Sequence, residues 1–284
     1  MKNFILPLLF VLFFILINGC DERPESPVKG SLVVYADESI FPIAKIQVDT
    51  FLVLYPDAKI DLIEVTAREG IAKIINDNAE IFISSREFNE EEHQAVIQNN
   101  LDIKTMKFCY DGIAAITSFE TQLENIGFDQ LKDLLSGKFS QVSTVVPGKN
   151  SGVYEYLSRE VLNGNELKNS EILQSEKEII ETVRSDINKI GFVGFNLLND
   201  SSQVRILNLG LRAQGGLKDS YLEPHPGYFV QRLYPLSRTC VIFLNEVNIG
   251  LASGFATFLT GNDGQKIVLD NNLGPAAVPV KVVQ

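Results

Sequence analysis

The stretch that decides the fold is TVVPGKNSGVYEYL, residues 144–157. A β-branched apolar run, typical of a buried strand, stops at Pro147-Gly148, and the polar trio Asn150, Ser151 and Gly152 then opens a segment with helical spacing. The first backbone N–H groups of a helix have no partner within it, and they point the same way as the positive end of its dipole. A strand–turn–helix of this kind can therefore hold an anion. The alternative is that Asn150 or Ser151 merely caps the helix.

The composition is that of an ordinary globular protein, with 284 residues of which 45% are hydrophobic and 21% are charged. This length suits one large domain or two lobes with separate cores. The net charge of −11 excludes the basic surface of a nucleic-acid binder, so a bound anion must be held by local dipoles and a few cations. Two His, three Cys and no Trp leave few parts for metal or nucleophile chemistry. We expect no enzyme, no metal and no cofactor, because no nucleophile–His–acid set can be assigned.

The N-terminus indicates export. Lys2 precedes the apolar run 4–17, which is followed by Asn18, Gly19 and Cys20. A short basic region, a short apolar core and small residues describe a signal peptide, which we assign to residues 1–19. Residues 17–20 resemble a bacterial lipoprotein cleavage box, so we expect Cys20 to be lipidated and residues 20–29 to form a polar tether. The alternative is an uncleaved N-terminal anchor; either way, the body lies outside the cytoplasm.

Strands and helices alternate along residues 31–97, which predicts an α/β lobe with a mostly parallel sheet. Ligands of such sheets bind beyond the carboxyl ends of the strands. Three strand ends are polar, at residues 37–39, 66–68 and 84–86, and the opening stretch supplies a fourth. The strands are predicted at residues 31–36, 59–65, 79–83, 103–108, 112–117, 144–146, 189–195, 203–209 and 239–244. The helices are predicted at residues 40–54, 66–75, 89–97, 128–135, 150–162, 175–183, 248–260 and 262–271, with an irregular segment at 210–232.

The order of motifs resembles that of the phosphate-binding lipoproteins of bacterial ABC importers, over roughly residues 30–280. The motifs that carry the resemblance are EIFISSR (80–86), DG (111–112), LKDLLSGK (131–138), NSGV (150–153), IGFVG (190–194), YPLSR (234–238), and FL with GQKIV inside 255–268. The resemblance implies a type II periplasmic binding-protein fold, in which two α/β lobes, each a mixed sheet flanked by helices, are joined by two crossover strands. Lobe 1 would comprise residues 30–110 plus 238–284, and lobe 2 residues 111–237.

The same resemblance implies a monomeric receptor, tied to the membrane by its lipid, that captures phosphate or a similar oxyanion in the interlobe cleft and passes it to an ABC permease. Backbone N–H groups, hydroxyls and an arginine would replace the water shell of the ion, and an acceptor such as Asp111 would meet its proton. The ligand-binding residues implied in this sequence are Asp37, Glu38, Ser39, Arg68, Ser85, Arg86, Asp111, Asn150, Ser151, Gly152 and Val153.

The chain departs from the family at several of these positions. Asp37 and Glu38 stand where the family has hydroxyl residues, Pro147 stands in place of an arginine, and Val153 in place of a threonine. Arg68 or Lys149 could supply the missing positive charge. Alternatively, the two acids point to solvent at a helix N-terminus.

These departures keep other functions open. The cleft could bind another oxyanion or a different small polar ligand, or the chain could be a non-transport lipoprotein that keeps the fold as a sensor or scaffold.

The resemblance also places Cys109 and Cys240 on the crossover strands, which run side by side. It therefore predicts a disulfide between them, or at least adjacent thiols. From the residues alone, two buried free thiols are equally open.

Overall fold

The chain folds as an alternation of strands and helices, and the computed structural model describes residues 26–138, 142–211, 220–246 and 249–277. The strands are β1 (Gly30–Asp37), β2 (Ala58–Val65), β3 (Ile81–Ser84), β4 (Lys104–Ser118), β5 (Asn125–Ile126), β6 (Ser143–Pro147), β7 (Ser170–Leu173), β8 (Lys189–Gly194), β9 (Val204–Ile206), β10 (Asn208–Gly210), β11 (Tyr221–Leu222), β12 (Ser237–Leu244) and β13 (Gly274–Pro275). The helices are α1 (Phe41–Leu54), α2 (Ala67–Ile75), α3 (Glu90–Gln98), α4 (Phe128–Leu135), α5 (Gly152–Tyr156), α6 (Glu176–Ser185), α7 (Pro226–Val230), α8 (Leu251–Thr260) and α9 (Asn262–Asp270).

The main sheet is mixed, with the strand order β2-β1-β3-β12-β4-β8-β6-β7, and β9 and β13 pair with β4 beside this path. The β1, β2 and β3 strands are parallel to one another, as are β6, β7 and β8. Between these two groups, β12 runs antiparallel to both β3 and β4. The two parallel groups are therefore joined through β4 and β12, which is the arrangement that the two predicted crossover strands require.

One long strand, β4, replaces the two strands predicted at residues 103–108 and 112–117. The Tyr-Asp-Gly sequence suggested a turn, but Gly112 lies within the continuous strand, where it allows close packing. A Cβ at Gly112 would lie 2.3 Å from Cε1 of Phe229, so only glycine lets α7 lie against the strand. The prediction of two strands is thus wrong, and Asp111 lies in the middle of an extended segment.

Hydrophobic side chains cover both faces of the sheet in each half of the chain. The largest cluster packs α1 and α8 on β1 and β3, with Phe51 edge-on to Phe255 at 5.2 Å between ring centroids. A second large cluster collects residues between 113 and 236 around Phe192 and Tyr234. Two smaller hydrophobic clusters cover the opposite faces of the sheet. The lobe boundaries at 110/111 and 237/238 stay a prediction.

Two helices begin at capping residues where the sequence predicts their N-termini. Thr66 caps α2 by accepting a hydrogen bond from the backbone N–H of Glu69. Asn89 and Glu92 form a reciprocal capping box on α3. The helix predicted to run to residue 162 is shorter, because α5 gives way to a π-helical turn at Leu157–Val161.

The segment predicted as irregular contains β11 and α7, while residues 212–219 lie outside the described part of the chain. Within the described residues, no helix combines the length and apolarity needed to cross a membrane. The predicted signal peptide and Cys20 fall in residues 1–25, which the structure does not describe.

Candidate functional site

Three of the predicted site residues meet beyond the carboxyl ends of β1 and β3. Asp37 ends β1 and is fully buried; its Oδ1 accepts the backbone N–H of Ser39 at 2.9 Å. Its Oδ2 accepts the hydroxyl of Ser85 at 2.8 Å. Burial raises the pKa of Asp37, although the guanidinium of Arg238 opposes the shift. The alternative in which Asp37 points to solvent is therefore wrong.

The start of α5 lies against this group. A Cβ on Gly152 would be 2.1 Å from Oγ of Ser85 and 3.1 Å from Oδ2 of Asp37, so glycine is required for the close approach. The hydroxyl of Ser151 accepts the backbone N–H of Tyr154 at 3.1 Å and thus caps the helix. Val153 is fully buried in the second hydrophobic cluster. In this structure the segment is a capped strand–turn–helix that packs directly on Asp37 and Ser85.

A buried ion pair connects the two crossover strands. Arg238 on β12 lies opposite Asp111 on β4 in the strand register. Its Nε and Nη2 donate to Asp111 Oδ2 at 3.1 and 2.7 Å. Burial is the largest single influence on the pKa of Arg238 and lowers it, but Asp111 together with the nearby Cys240, Glu176 and Asp37 outweighs burial, and the pKa is raised. Asn196 supports the pair from the end of β8: its Nδ2 donates to the backbone oxygen of Ser39 at 2.7 Å, with Asp111 Oδ2 at 3.4 Å.

A second internal carboxylate, Glu176, enters the same space from the first position of α6. Its Oε1 accepts the hydroxyl of Ser39, and its Oε2 accepts the backbone N–H of Gly194 at 2.5 Å. Burial raises the pKa of Glu176 to about 7, although Arg238 and both hydrogen bonds act in the opposite direction.

Glu38 completes the carboxyl cluster. Its Oε2 is buried and has no hydrogen-bond partner. Burial, reinforced by the nearby carboxylates of Asp37 and Glu176, raises the pKa of Glu38 to about 10. A carboxyl with this pKa carries its proton at neutral pH, so Glu38 can donate a hydrogen bond. Like Asp37, it does not point freely into solvent.

Of the cations that the sequence offered for the anion, Arg86 is engaged in buried ion pairs, and Lys149 and Arg68 are exposed. Arg86 is buried and donates two hydrogen bonds to Glu92, at 2.7 and 2.8 Å, while its Nε lies 2.8 Å from Glu155. Lys149 is exposed and pairs with Glu166 at 2.7 Å. The Arg68 side chain is exposed as well, so neither of these two cations is buried at the site, and the replacement of the charge lost at Pro147 by one of them stays a prediction.

Asn150 is also exposed and takes part through its backbone. Its carbonyl oxygen accepts the N–H of Arg68 at 3.1 Å. This hydrogen bond ties the start of α2 to the turn before α5, so two of the predicted site loops are in direct contact.

Arginines line a cavity of about 520 Å³ next to this cluster. It lies between the residues after β3, the π-helical turn and the start of β12, and we call it the arginine cavity. Its walls include Arg86, Tyr156, Arg159, Arg232, Ser237 and Arg238.

Of the two outcomes expected for Cys109 and Cys240, the structure has the adjacent thiols and not the disulfide. Both are free, fully buried thiols at opposed positions of β4 and β12. Burial raises the pKa of Cys109, which disfavours the thiolate that disulfide formation needs.

Three residues at the site were not assigned to it from the sequence: Glu176, Asn196 and Arg238. Glu176 follows the N-cap Ser175, and an acid in the first turn of a helix is favoured wherever that helix lies. Arg238 belongs to the YPLSR motif, but only the strand register that sets it opposite Asp111 reveals its role. For Asn196 the sequence carries no signal. In the described residues, no group of three or more His, Cys, Asp or Glu side chains is placed to hold a metal ion.

Two α/β halves joined by crossover strands, with polar strand ends facing a shared cleft, define the class of periplasmic-type solute-binding proteins. The sequence model of the PBP superfamily domain matches residues 21–263, and the chain belongs to that superfamily. The fold is the type II periplasmic binding-protein fold.

Relatives and solved structures agree with this assignment. The phosphate-binding protein PstS of Staphylococcus aureus (strain USA300) is 23% identical over 234 residues, which cover 78% of this chain and 70% of that protein. A candidate phosphate ABC transporter substrate-binding protein from Clostridium perfringens, solved with bound phosphate, matches with a TM-score of 0.76 and 23% identity over 87% of this chain and 100% of that one. An ABC-type phosphate transport receptor from Vibrio cholerae matches with a TM-score of 0.68 and 15% identity over 86% of this chain and 99% of that one.

Proposed function

We propose that the chain is an extracytoplasmic solute-binding protein that captures phosphate in the interlobe cleft for an ABC importer. Relatives named for phosphate binding support the ligand and the transport context. The observation that carries the proposal is the buried Arg238–Asp111 pair on the crossover strands, with the hydroxyls of Ser39 and Ser85 facing the same space.

An anion would enter the cleft by replacing the carboxylates of this cluster at their hydrogen-bond donors. Asp37 and Glu176 accept hydrogen bonds from Ser39, Ser85 and Gly194, which are donors of the kind that an oxyanion requires. A phosphate ion would take over these donors once the two halves separate and the carboxylates withdraw. Protonated Glu38 adds a donor rather than a repelling charge.

Thermal unfolding at increasing phosphate concentration tests the proposal. A ligand that binds only the folded protein stabilises it by about 2.7 kcal/mol at a hundred times its Kd, so the melting temperature should rise with the logarithm of phosphate concentration. Sulfate, molybdate and arsenate, run in parallel, identify another oxyanion as the ligand. A melting temperature that none of the four anions changes would refute oxyanion capture.

Variants of the cleft residues test where the ligand binds. Ser39→Ala and Ser85→Ala should reduce the phosphate-dependent shift, because each removes a hydroxyl of the cleft. Ser201→Ala is the matched control, since that side chain is exposed outside the cleft. Full shifts in both cleft variants would mean that phosphate binds elsewhere.

One observation favours a second candidate, a sensor or scaffold that keeps the fold without transport. The donors at the strand ends are already engaged by Asp37 and Glu176 within the chain itself. Such a protein would show no phosphate-dependent stabilisation at all.

We further propose that the mature chain is monomeric and begins at a lipidated Cys20, which anchors it to the membrane. The apolar run 4–17 and the small residues before Cys20 support the lipid anchor, whereas the monomeric state rests on the resemblance to solute-binding proteins. In an export-competent bacterial host, Cys20→Ala should move the protein from the membrane fraction to the soluble fraction. Unchanged membrane association of Cys20→Ala would favour an uncleaved N-terminal anchor.

A further inference from the structure

We propose that Glu155 is a positioning residue whose carboxylate latches one half of the chain onto the other at the rim of the cleft. The first half is built on β1, β2 and β3, and the second half on β6, β7 and β8. By keeping the halves in contact, the latch slows the release of a captured anion. The effect on release rests on the proposed phosphate capture, whereas the contact between the halves does not.

The first support is the position of Glu155 between the two halves. Glu155 lies in α5, whose Val153 and Tyr154 are buried in the hydrophobic cluster of the second half. Its carboxylate has two partners, and both belong to the first half. Its Oε2 lies 2.8 Å from Nε of Arg86, which follows β3, and its Oε1 accepts Nδ2 of Asn89, the N-cap of α3, at 3.2 Å. One carboxylate therefore joins α5 to two segments of the opposite half.

The second support is that this pair can open without leaving a buried charge alone. Arg86 donates to Glu92 of its own half at 2.7 and 2.8 Å, so it keeps a counter-charge when Glu155 withdraws. The Glu155 side chain is already 20% exposed and would regain water. The pair of Arg238 with Asp111 differs, because both of those side chains are almost fully buried and breaking the pair is costly. A contact that opens readily suits a receptor whose halves close on a ligand and part again.

The third support is that the latch adjoins the strand ends of the cleft. Arg86 directly follows Ser85, whose hydroxyl donates to Asp37 at 2.8 Å. Glu155 lies in the same short helix as Gly152, which packs against that hydroxyl too closely for a Cβ. The latch and this close approach join the same two segments, so loss of the latch should loosen the contact over the strand ends.

The backbone N–H of Arg68 reports the contact between the halves without any ligand. As the second residue of α2, Arg68 has no acceptor for its N–H within its own helix. This N–H donates instead to the backbone oxygen of Asn150 at 3.1 Å, across the boundary between the halves. Its hydrogen exchange should therefore speed up when the halves separate. At the other end of α2, the N–H of Asn76 donates to the backbone oxygen of Ala72 at 3.0 Å, so it reports only the folding of that helix.

Amide-resolved hydrogen exchange of the phosphate-free protein tests the latch. E155Q should speed the exchange of the Arg68 amide at least about fivefold, because it removes the charge of the latch. The Asn76 amide should keep its wild-type rate. E160Q is the matched control, since Glu160 pairs with Arg159 of its own half and its loss should leave the Arg68 amide unchanged. An Arg68 amide that exchanges at the same rate in E155Q and wild type would overturn the proposal.

Stopped-flow kinetics with phosphate tests the effect on release. E155Q should raise the dissociation rate constant at least about fivefold and leave the association rate constant nearly unchanged, because contacts that form on closure act after encounter. A loss of folded protein alone would lower the bound fraction without changing either rate constant. An unchanged dissociation rate constant in E155Q would overturn the role in release. If wild type binds no phosphate, phosphate capture fails, and the exchange of the Arg68 amide still decides the latch.

Discussion

At the scale of single residues, the distinctive feature of the cleft is that it buries acidic side chains. Glu38 and Glu176 have pKa values raised to about 10 and about 7, in both cases chiefly by burial. A carboxyl that binds its proton more tightly in the folded protein lowers the free energy of unfolding as pH rises. For Glu176 the stability that comes from tighter proton binding is fully present below pH 4.5 and is lost as pH rises through about 7. For Glu38 the same loss extends to about pH 10.

The first prediction follows from this loss of stability with rising pH. Glu176→Gln should make the protein more stable than wild type at about pH 8 and should reduce the decline in stability between about pH 5 and about pH 8. Each unit of pKa shift corresponds to ~1.4 kcal/mol, so the gain should be of the order of 1–3 kcal/mol. Urea unfolding at the two pH values measures it. Glu181→Gln, an exposed acid on the same helix, should behave like wild type, and an equal decline in Glu176→Gln would contradict the raised pKa.

The second prediction concerns the close approach at Gly152. Gly152→Ala places a methyl group 2.1 Å from Ser85 Oγ, so either the Ser85 hydroxyl must leave its position against Asp37 or the two loops must move apart. We expect a loss of about 1–3 kcal/mol in the free energy of unfolding, measured by urea unfolding. At Gly148 a Cβ would meet nothing within 4 Å, and Gly148→Ala should leave stability nearly unchanged. Equal stability of both variants would contradict the tight packing of Gly152 on Ser85 and Asp37.

At the scale of elements, the pairing of β4 with β12 organises the site. Their register sets Asp111 opposite Arg238 and Cys109 opposite Cys240. The third prediction is that Asp111→Asn destabilises the protein by about 3–5 kcal/mol, because it removes the carboxylate that pairs directly with a buried guanidinium. Thermal or urea unfolding measures this change.

Asp133→Asn is the control for that pair. Asp133 forms a surface ion pair with Lys138, and such pairs contribute about 0–1 kcal/mol. A similarly small effect of Asp111→Asn would mean that the Arg238 pair is not desolvated and does not join the strands.

At the scale of the whole molecule, the order of motifs was sufficient to predict the fold. Strands, helices and their caps are local patterns, and Thr66 and Asn89 cap the helices that the sequence assigned to them. The continuity of β4 was missed because Tyr-Asp-Gly is also a turn pattern, and only the packing of Phe229 on Gly112 distinguishes the two.

The site was less predictable than the fold, because burial and partner choice depend on tertiary structure. Arg68 and Lys149 have the charge that an anion needs, yet both are exposed. Glu176 looked like an ordinary helix-start acid, and its contacts with Ser39 and Gly194 come from parts of the chain far away in sequence. Predicting such contacts requires the strand order, which no local pattern contains.

Isothermal titration calorimetry of the purified protein with phosphate tests the central claim most directly. We predict saturable binding of one phosphate per chain, weakened in Ser85→Ala and retained in Ser201→Ala. Absence of binding heat for phosphate up to millimolar concentrations, in a protein shown to be folded by cooperative unfolding, would contradict phosphate capture. It would leave the sensor or scaffold role as the explanation of the fold.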